Sequence, residues 1–304
     1  MATAEPLIAI FGPTGVGKTS VAIELAERLR GQGGAPVAVS ADALQVYRGL
    51  ELLTGAPTAE ERERLEHRLV SFLPVTETFS AGQFAALAHA EIDGALDSGR
   101  RPIVVGGTGL YLQAALTDLE LRPPPPPGVR ERLLGEADRR GVEALHAELA
   151  ERSPTVAAAV EPTDRTRVVR ALELLEMGED PPPGGAESRL WTAALRRPTV
   201  LAGLMPERER LYEQIDARVD AMVAAGAPDE VRRADAAGAS ATARKALGFE
   251  ELLRGDVDAM KRRTRNYAKR QLTWMRRLER AHLVDAADDP ADRLLALVKE
   301  EEDS

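Results

Sequence analysis

Three observations predict an α/β fold in which a parallel sheet is flanked by helices and interrupted by an inserted helical unit. A glycine-rich turn ending in Lys18-Thr19 stands between a short apolar run and an amphipathic one. The same strand, glycine turn and helix order returns at Arg101 to Tyr111. Two proline clusters then bracket a stretch of Arg- and Glu-rich helical sequence.

The first unit is Leu7 to Phe11, a strand, followed by Gly12-Pro13-Thr14-Gly15-Val16-Gly17-Lys18-Thr19 and the amphipathic run Val21 to Leu29. This is a P-loop in strand-loop-helix context, and it makes the expected sheet P-loop NTPase-like. The glycines let successive N–H groups and a helix N-terminus face one anion, Lys18 adds a point charge, and the Thr19 hydroxyl can hold Mg²⁺. A di- or triphosphate is the expected ligand; the loop alone does not say which.

Pro36 to Ser40 reads as a second buried strand that ends in Ala41-Asp42, and Phe79 to Leu96 as a helix stopped at Gly99. Arg101 to Val105 is the third strand, running into Gly106-Gly107-Thr108-Gly109 and a helix from Leu110. Ligands bind beyond the carboxyl ends of such strands, which gathers Lys18, Asp42 and Thr108 at one rim. Asp42 can serve there as a base or a partner to Mg²⁺, or act as an ordinary helix N-cap.

Pro123 to Pro127 is a stiff break, helical sequence follows to about Met177, and Pro181 to Gly185 is a second break. The expected organisation is therefore residues 1–122 as the first part of the core, 123–185 as the insertion and 186–304 as the return. In the return, Thr199 to Leu204 reads as a strand. Glu207 to Ala225, Ala243 to Leu253 and Val257 to Arg280 read as helices. The last carries Lys261, Arg262, Arg263, Arg265, Lys269, Arg270, Arg276, Arg277 and Arg280, interleaved with Tyr267 and Trp274 and opposed within the segment only by Glu279. It suits an RNA backbone, or a solvated helix with Tyr267, Leu272, Met275 and Leu278 turned inward.

The formal net charge of −9 argues against a nucleic-acid partner on average, but this local segment reverses it. Cysteine is absent, so disulfides, thiolate zinc sites and a cysteine nucleophile are excluded. No charged and apolar leader precedes the first strand, and no apolar run approaches the ~18 residues of a membrane span, so a cytoplasmic chain without membrane attachment is expected. Nothing demands more than a monomer.

The only asparagine, Asn266, is followed by Tyr267, so a guanine signature of the Asn-Lys-x-Asp kind is missing. The strand Ile103-Val104-Val105 ends in glycines rather than the acidic pair of a motor ATPase. These exclusions leave a kinase or a diphosphate-cleaving transferase.

Six blocks then carry a family resemblance. They are Gly12-Pro13-Thr14-x-x-Gly17-Lys18-Thr19, Ser40-Ala41-Asp42-x-x-Gln45-Val46-Tyr47-Arg48-Gly49, Gly106-Gly107-Thr108-Gly109-Leu110-Tyr111, Arg167-x-x-Arg170-Ala171-Leu172-Glu173, Ala246-Leu247-Gly248-Phe249 and Tyr267-Ala268-Lys269-Arg270-Gln271-x-x-Trp274. In that order, nearly end to end, the chain resembles the tRNA dimethylallyltransferases. The resemblance implies transfer of a dimethylallyl group from dimethylallyl diphosphate to N6 of the adenosine beside the anticodon, with the P-loop holding diphosphate.

It also implies roles. Asp42 would take the N6 proton, with Lys18, Thr19, Thr108 and Lys245 acting at the diphosphate or the substrate, although Arg244 stands beside Lys245. The tRNA anticodon stem-loop would be met by Asp42, Ala43, Leu44 and Gln45, by Thr108 and Arg130, by Thr166, Arg167, Val168, Val169 and Arg170, and by Lys245, Ala246, Leu247, Gly248 and Phe249. Arg130, Arg167 and Arg170 are equally explicable as helix-face charges. The chain departs from many relatives at Thr54-Gly55-Ala56-Pro57, at Ala43-Leu44 and at Arg68-Leu69-Val70-Ser71, which leaves His67 with a structural role by default. Prenylation of free AMP, ADP or ATP, a small-molecule kinase and a non-catalytic RNA-binding module are the alternatives.

Overall fold

The computed structural model describes residues 5–118, 122–179, 181, 194–278 and 280–303. Two compact units divide the chain, one of Met1–Asp118 with Ala194–Ser304 and one of Leu119–Ala193. Most of the proline-glycine break at 181–185, and Glu279, lie outside the described residues.

In the first unit a six-stranded sheet runs β4 (His67–Arg68), β2 (Pro36–Ser40), β6 (Arg101–Gly106), β1 (Leu7–Phe11), β7 (Thr199–Met205), β8 (His282–Asp285). Every pairing in it is parallel. All five residues of β1 are buried, as an uninterrupted apolar strand covered on both faces requires. Register fixes the functional rim: Phe11 pairs with Gly106 and Gly203, and Ser40 with Val105. The turns that follow β1, β2 and β6 therefore leave the sheet at one level.

A short parallel pair, β3 (Tyr47–Arg48) with β5 (Leu73–Pro74), stands apart from the main sheet. Helix α1 (Lys18–Gly31) starts at Gly17, whose φ of 91° needs a residue without a side chain, and buries Val21, Ile23, Leu25 and Leu29. The short helices α2 (Glu51–Thr54) and α3 (Ala59–Arg64) follow, the latter closed by a capping box between Thr58 and Glu61. A second box, Ser80 with Gln83, sets the start of α4 (Ala81–Asp97) two residues later than the hydrophobic pattern predicts. Helix α5 (Gly109–Leu116) runs from the β6 turn.

The second unit consists of α6 (Val129–Arg140), α7 (Val142–Arg152), α8 (Pro154–Ala157) and α9 (Arg165–Glu176). Its own core includes Leu133, Leu145, Leu149, Val168 and Leu172.

After β7 come α10 (Arg208–Ala224) and α11 (Ala227–Ala236). The single helix expected over 243–253 is two pieces, a 3₁₀ turn Ala243–Lys245 and α12 (Phe249–Leu253). Gly248, at φ 95°, breaks them, and a Cβ there would lie 2.5 Å from the Met260 sulfur, so the break lets this loop sit against the next helix. That helix, α13 (Val257–Met275), ends at Met275 rather than Arg280, and Met275 packs where a Cβ on Gly203 of β7 would stand. Strand β8 and α14 (Pro290–Glu302) complete the sheet and cover α1, and neither is evident from the sequence pattern.

Candidate active site

The P-loop curls at Gly15 (φ 87°) and Gly17 (φ 91°) and backs onto α10, where a Cβ on Gly15 would meet Ile215. The Lys18 ammonium donates to the carbonyls of Gly12 and Pro13, each at 3.0 Å. Burial lowers its pKa to about 8, with Asp42 opposing the shift and Arg218 adding to it. An anion entering the loop would favour the ammonium form and raise this pKa again. Thr19 stands in the first turn of α1 with its side chain partly accessible.

Asp42 is not a helix cap, because no helix starts directly after it; the next, α2, begins at Glu51. Its Oδ1 accepts from the amides of Leu44 at 2.9 Å and Gln45 at 3.3 Å, folding Asp42–Gln45 into a tight turn. Gln45 Oε1 and Ser40 Oγ are 3.0 Å apart, and Gln45 Nε2 donates to the Gly55 carbonyl at 3.1 Å. Around the carboxylate stand Lys18 and Arg218 as cations and Tyr111 and Tyr267 as phenols. Burial raises both phenols, and the Asp42 charge raises them further. The fully buried Tyr47 adds a hydroxyl without a hydrogen-bond partner among the described residues.

Gly106 and Gly107 are required by close approach. A Cβ on Gly106 would collide with the Ala41 carbonyl, and one on Gly107 would lie 3.0 Å from the Gly12 carbonyl and 3.2 Å from Lys18 Nζ. The β6 turn is thereby pressed against both the Asp42 turn and the P-loop. Thr108, which opens α5, makes no side-chain cap; its hydroxyl is 3.3 Å from Tyr267 Oη.

Two residues at this rim escaped the sequence reading as site residues. Arg218, on α10, is largely buried; burial pulls its pKa below the usual guanidinium value, opposed by Asp42 and Glu61. Its Nη2 is 3.5 Å from the Gly55 carbonyl. Gln271, 2 % exposed, accepts from Thr14 N–H at 2.9 Å and donates to the Gly107 carbonyl at 2.5 Å. Arg218 lay in the helix expected over Glu207 to Ala225, to which no site was assigned, and Gln271 in a segment read for charge and as part of the Tyr267 to Trp274 block, without a role of its own. An arginine spaced to share the helix face of Leu211, Ile215 and Val219 was the available signal.

Lys245 is exposed, and its side chain has no hydrogen-bond or ion-pair partner among the described residues. Arg244 pairs with Asp235 and Glu250 and lies over the Phe249 ring. Neither contacts Lys18 or Asp42; the basic side chain whose charge acts on both is Arg218. Ala246, Gly248 and Phe249 are buried, while Leu247 is half-buried.

In the helical unit Thr166 and Arg167 are exposed at the start of α9, whereas Val168 and Val169 are buried and pack into the core. Arg130 and Arg170 both bind the fully buried Glu173, at 2.6 Å and 3.0 Å, and Arg170 also donates to the Arg122 and Pro123 carbonyls. Burial pushes the Glu173 carboxyl up, but the two arginines outweigh it and hold it below the usual range. His67 is tied through Nδ1 to the Leu65 carbonyl, and burial lowers its pKa; it supports β4.

The basic helix α13 divides in two. Lys261 and Arg265 pair with Asp220 and Asp216 of α10, and Arg263 with Glu251 of α12, so acids distant in sequence oppose what Glu279 alone opposed locally. Arg262, Lys269, Arg276 and Arg277 are exposed and unpaired among the described residues, and Arg270 lies 5.6 Å from the Tyr267 ring. The inward face is Met260, Thr264, Ala268, Gln271 and Met275, with Tyr267 and Leu272 only partly covered.

Among the described residues no three His, Cys, Asp or Glu side chains gather as a metal cage. The hydroxyl oxygen of Thr19, in the first turn of α1, fits Mg²⁺ held mainly by phosphate oxygens, since that ion keeps much of its water and takes few protein ligands. No helix among the described residues is long and apolar enough to cross a membrane.

The IPP transferase family model matches residues 45–278. A tRNA dimethylallyltransferase of Thermobifida fusca is 40% identical over 98% of this chain and 95% of its own length. One of Rhodospirillum centenum is 42% identical over 96% and 94%. Among solved structures, the full-length tRNA isopentenylpyrophosphate transferase from Bacillus halodurans superposes with a TM-score of 0.69 at 33% identity, covering 98% of each chain. A eukaryotic dimethylallyltransferase acting on tRNA gives a TM-score of 0.76 at 25% identity, covering 97% of this chain and 79% of that one.

Proposed function

Because the chain belongs to the IPP transferase family, we propose that it is a tRNA dimethylallyltransferase, a prenyltransferase acting on the adenosine 3′ of the anticodon. It transfers the dimethylallyl group of dimethylallyl diphosphate to N6 of that base, position 37, in tRNAs reading codons that begin with U.

The observation that carries the chemical reading is the Asp42 carboxylate. One oxygen is spent on the amides of Leu44 and Gln45, which fixes the group, while the charge lies beside Lys18 and Arg218. An exocyclic adenine amine is a weak nucleophile, because its lone pair is delocalised into the ring. The reaction therefore needs a base for its proton and strong stabilisation of the leaving group.

In the proposed step the N6 lone pair attacks C1 of the allyl group, the C1–O bond to diphosphate breaks, and the N6 proton passes to Asp42. Lys18, the P-loop amides from Gly15 onward and Arg218 hold the departing diphosphate. Thr19 would hold Mg²⁺, which would neutralise part of the diphosphate charge. Thr108 orients the substrate from the facing turn. Lys245, exposed on its 3₁₀ turn, suits an RNA phosphate, as do Arg130, Thr166, Arg167 and the unpaired side of α13. The target base must leave its stack to reach Asp42.

Mass spectrometry of an anticodon stem-loop RNA after incubation with enzyme, Mg²⁺ and dimethylallyl diphosphate tests the reading, with AMP as the parallel acceptor. A single five-carbon addition to the RNA, lost in Asp42→Ala, is expected. Addition to AMP alone would overturn it in favour of a free-nucleotide prenyltransferase.

A further inference from the structure

Gln271 lies on the buried side of a helix whose opposite side is basic, and the reaction outlined above leaves it without a role. Its amide spans two loops that are far apart in sequence, taking the Thr14 N–H of the P-loop on one side and the Gly107 carbonyl of the β6 turn on the other. The orientation is fixed by chemistry, because Thr14 N–H can only donate and the Gly107 carbonyl can only accept. The two loops are so close that Gly107 has no room for a Cβ, whose nearest neighbour would be Gln271 Nε2 at 2.5 Å. One turn earlier, Tyr267 Oη reaches Thr108 Oγ1 at 3.3 Å.

We propose that Gln271 is a positioning residue that sets the separation between the diphosphate-holding P-loop and the Gly107–Thr108 turn, and so registers the leaving group against the acceptor. The bridge also withdraws Thr14 N–H from the anion, so that the loop amides facing a diphosphate begin at Gly15. The inference deepens the function proposed above and rests on it for the role of Thr108. The effect on the P-loop itself does not depend on the acceptor.

Side-chain chemistry makes the role specific. Methionine matches glutamine in length but supplies neither bond, leaving a buried amide N–H and a carbonyl without partners. Glutamate keeps the acceptor toward Thr14 and, when ionised, presents an oxygen to the Gly107 carbonyl where a donor stood. The two loops would then be forced apart.

The test uses the full-length chain carrying Gln271→Met, Gln271→Glu or Gly107→Ala, the last of which displaces the Gln271 amide from the opposite side. Calorimetric binding of inorganic pyrophosphate is measured beside steady-state kinetics with dimethylallyl diphosphate and stem-loop RNA. In Gln271→Met the expected result is weaker pyrophosphate binding and a kcat lower by roughly 10- to 100-fold, the scale of an ångström of misplacement, with the KM for RNA changed less than about twofold. Gln271→Glu is expected to be worse than Gln271→Met, and Gly107→Ala to reproduce the loss.

Gln271→Met that lowers only the melting temperature, with pyrophosphate affinity and kcat per active site unchanged, would overturn the proposal and leave Gln271 as packing. If those Gln271 variants do not fold, the same readings on Gln271→Asn, one methylene too short to span both loops, decide. A wild-type chain that modifies no RNA would refute the proposed function instead, while the pyrophosphate measurement would still decide whether Gln271 shapes the P-loop.

Discussion

Nη2 of Arg218 occupies the space that a Cβ on Gly55 would fill, so the guanidinium and a side chain at position 55 exclude one another. Gly55 closes α2 in a left-handed conformation, φ 60°, and its carbonyl receives both Gln45 Nε2 and Arg218 Nη2. The other end of α2 is held by Glu230 of α11, whose carboxylate accepts from the amides of Leu52 and Leu53. A four-residue helix thus sets the position of a buried cation next to Asp42 and Lys18.

Gly55→Ala is expected to displace Arg218 and weaken pyrophosphate binding, by roughly tenfold for each 1.4 kcal/mol of interaction lost. Arg218→Ala, which removes a preorganised donor altogether, is expected to lower kcat about 10²- to 10³-fold. Single-turnover kinetics with saturating dimethylallyl diphosphate separate the two effects.

The depressed pKa of Lys18, about 8, makes diphosphate binding a proton-uptake reaction above that pH. Titrations at pH 8.5 in buffers of different ionisation heat should show uptake, and titrations at pH 6.5 should show none. The sign for stability is the reverse of an ion pair. Between pH 8 and 10.5 the unfolded chain holds more protons, so stability rises with pH in that window. At pH 7 Lys18→Met is expected to raise stability by about 1 kcal/mol, after solvent screening and the loss of two hydrogen bonds, while abolishing activity. Thermal melting and turnover check the two halves.

Glu173 works in the opposite direction. Its pKa in the folded unit lies below its usual value, so the stability it contributes is present above about pH 4.5 and lost as the pH falls through the folded-state pKa. Glu173→Gln leaves Arg130 and Arg170 without their shared carboxylate and is expected to destabilise the helical unit by about 3 kcal/mol. Urea melts at stepwise lower pH should bring the variant and wild type together as the pH falls from 4.5 through the folded-state pKa.

The divided charge of α13 predicts divided phenotypes. Replacing Lys269 or Arg276 by Ala should lower the slope of log affinity for stem-loop RNA against log salt by about 0.7–0.9 per charge, with the melting temperature unchanged. Replacing Arg265, which pairs with Asp216, should lower the melting temperature instead. Filter binding at several salt concentrations, with melts alongside, distinguishes them.

Ser71 holds a left-handed backbone, φ 53°, while its N–H donates to the Gln45 carbonyl at 2.8 Å. Ser71→Gly is expected to stabilise the chain by about 0.5–1 kcal/mol through relief of that strain. Chemical denaturation measures it.

The sequence by itself determined the elements whose signal is local. Leu7 to Phe11 with Gly12 to Thr19, Pro36 to Ser40 with Asp42, and Ile103 to Val105 with Gly106 to Thr108 each combine an apolar strand with a turn whose glycines have one conformational purpose. The parallel order that follows from them places three turns on one rim. Local pattern failed where partners are distant. The two-residue β4 has no apolar alternation, β8 becomes a strand only by pairing with β7, and the expected helix over 243–253 breaks at Gly248 because Met260 fills the space beside it. Tertiary structure alone decided that Asp42 closes a turn rather than caps a helix. It alone brought Arg218 from α10 and Gln271 from α13 to the P-loop, and split a uniformly basic helix into paired and free sides. Each of these depends on which groups burial leaves without water and which opposite partner then lies within reach, and neither is written in the spacing of residues along the chain.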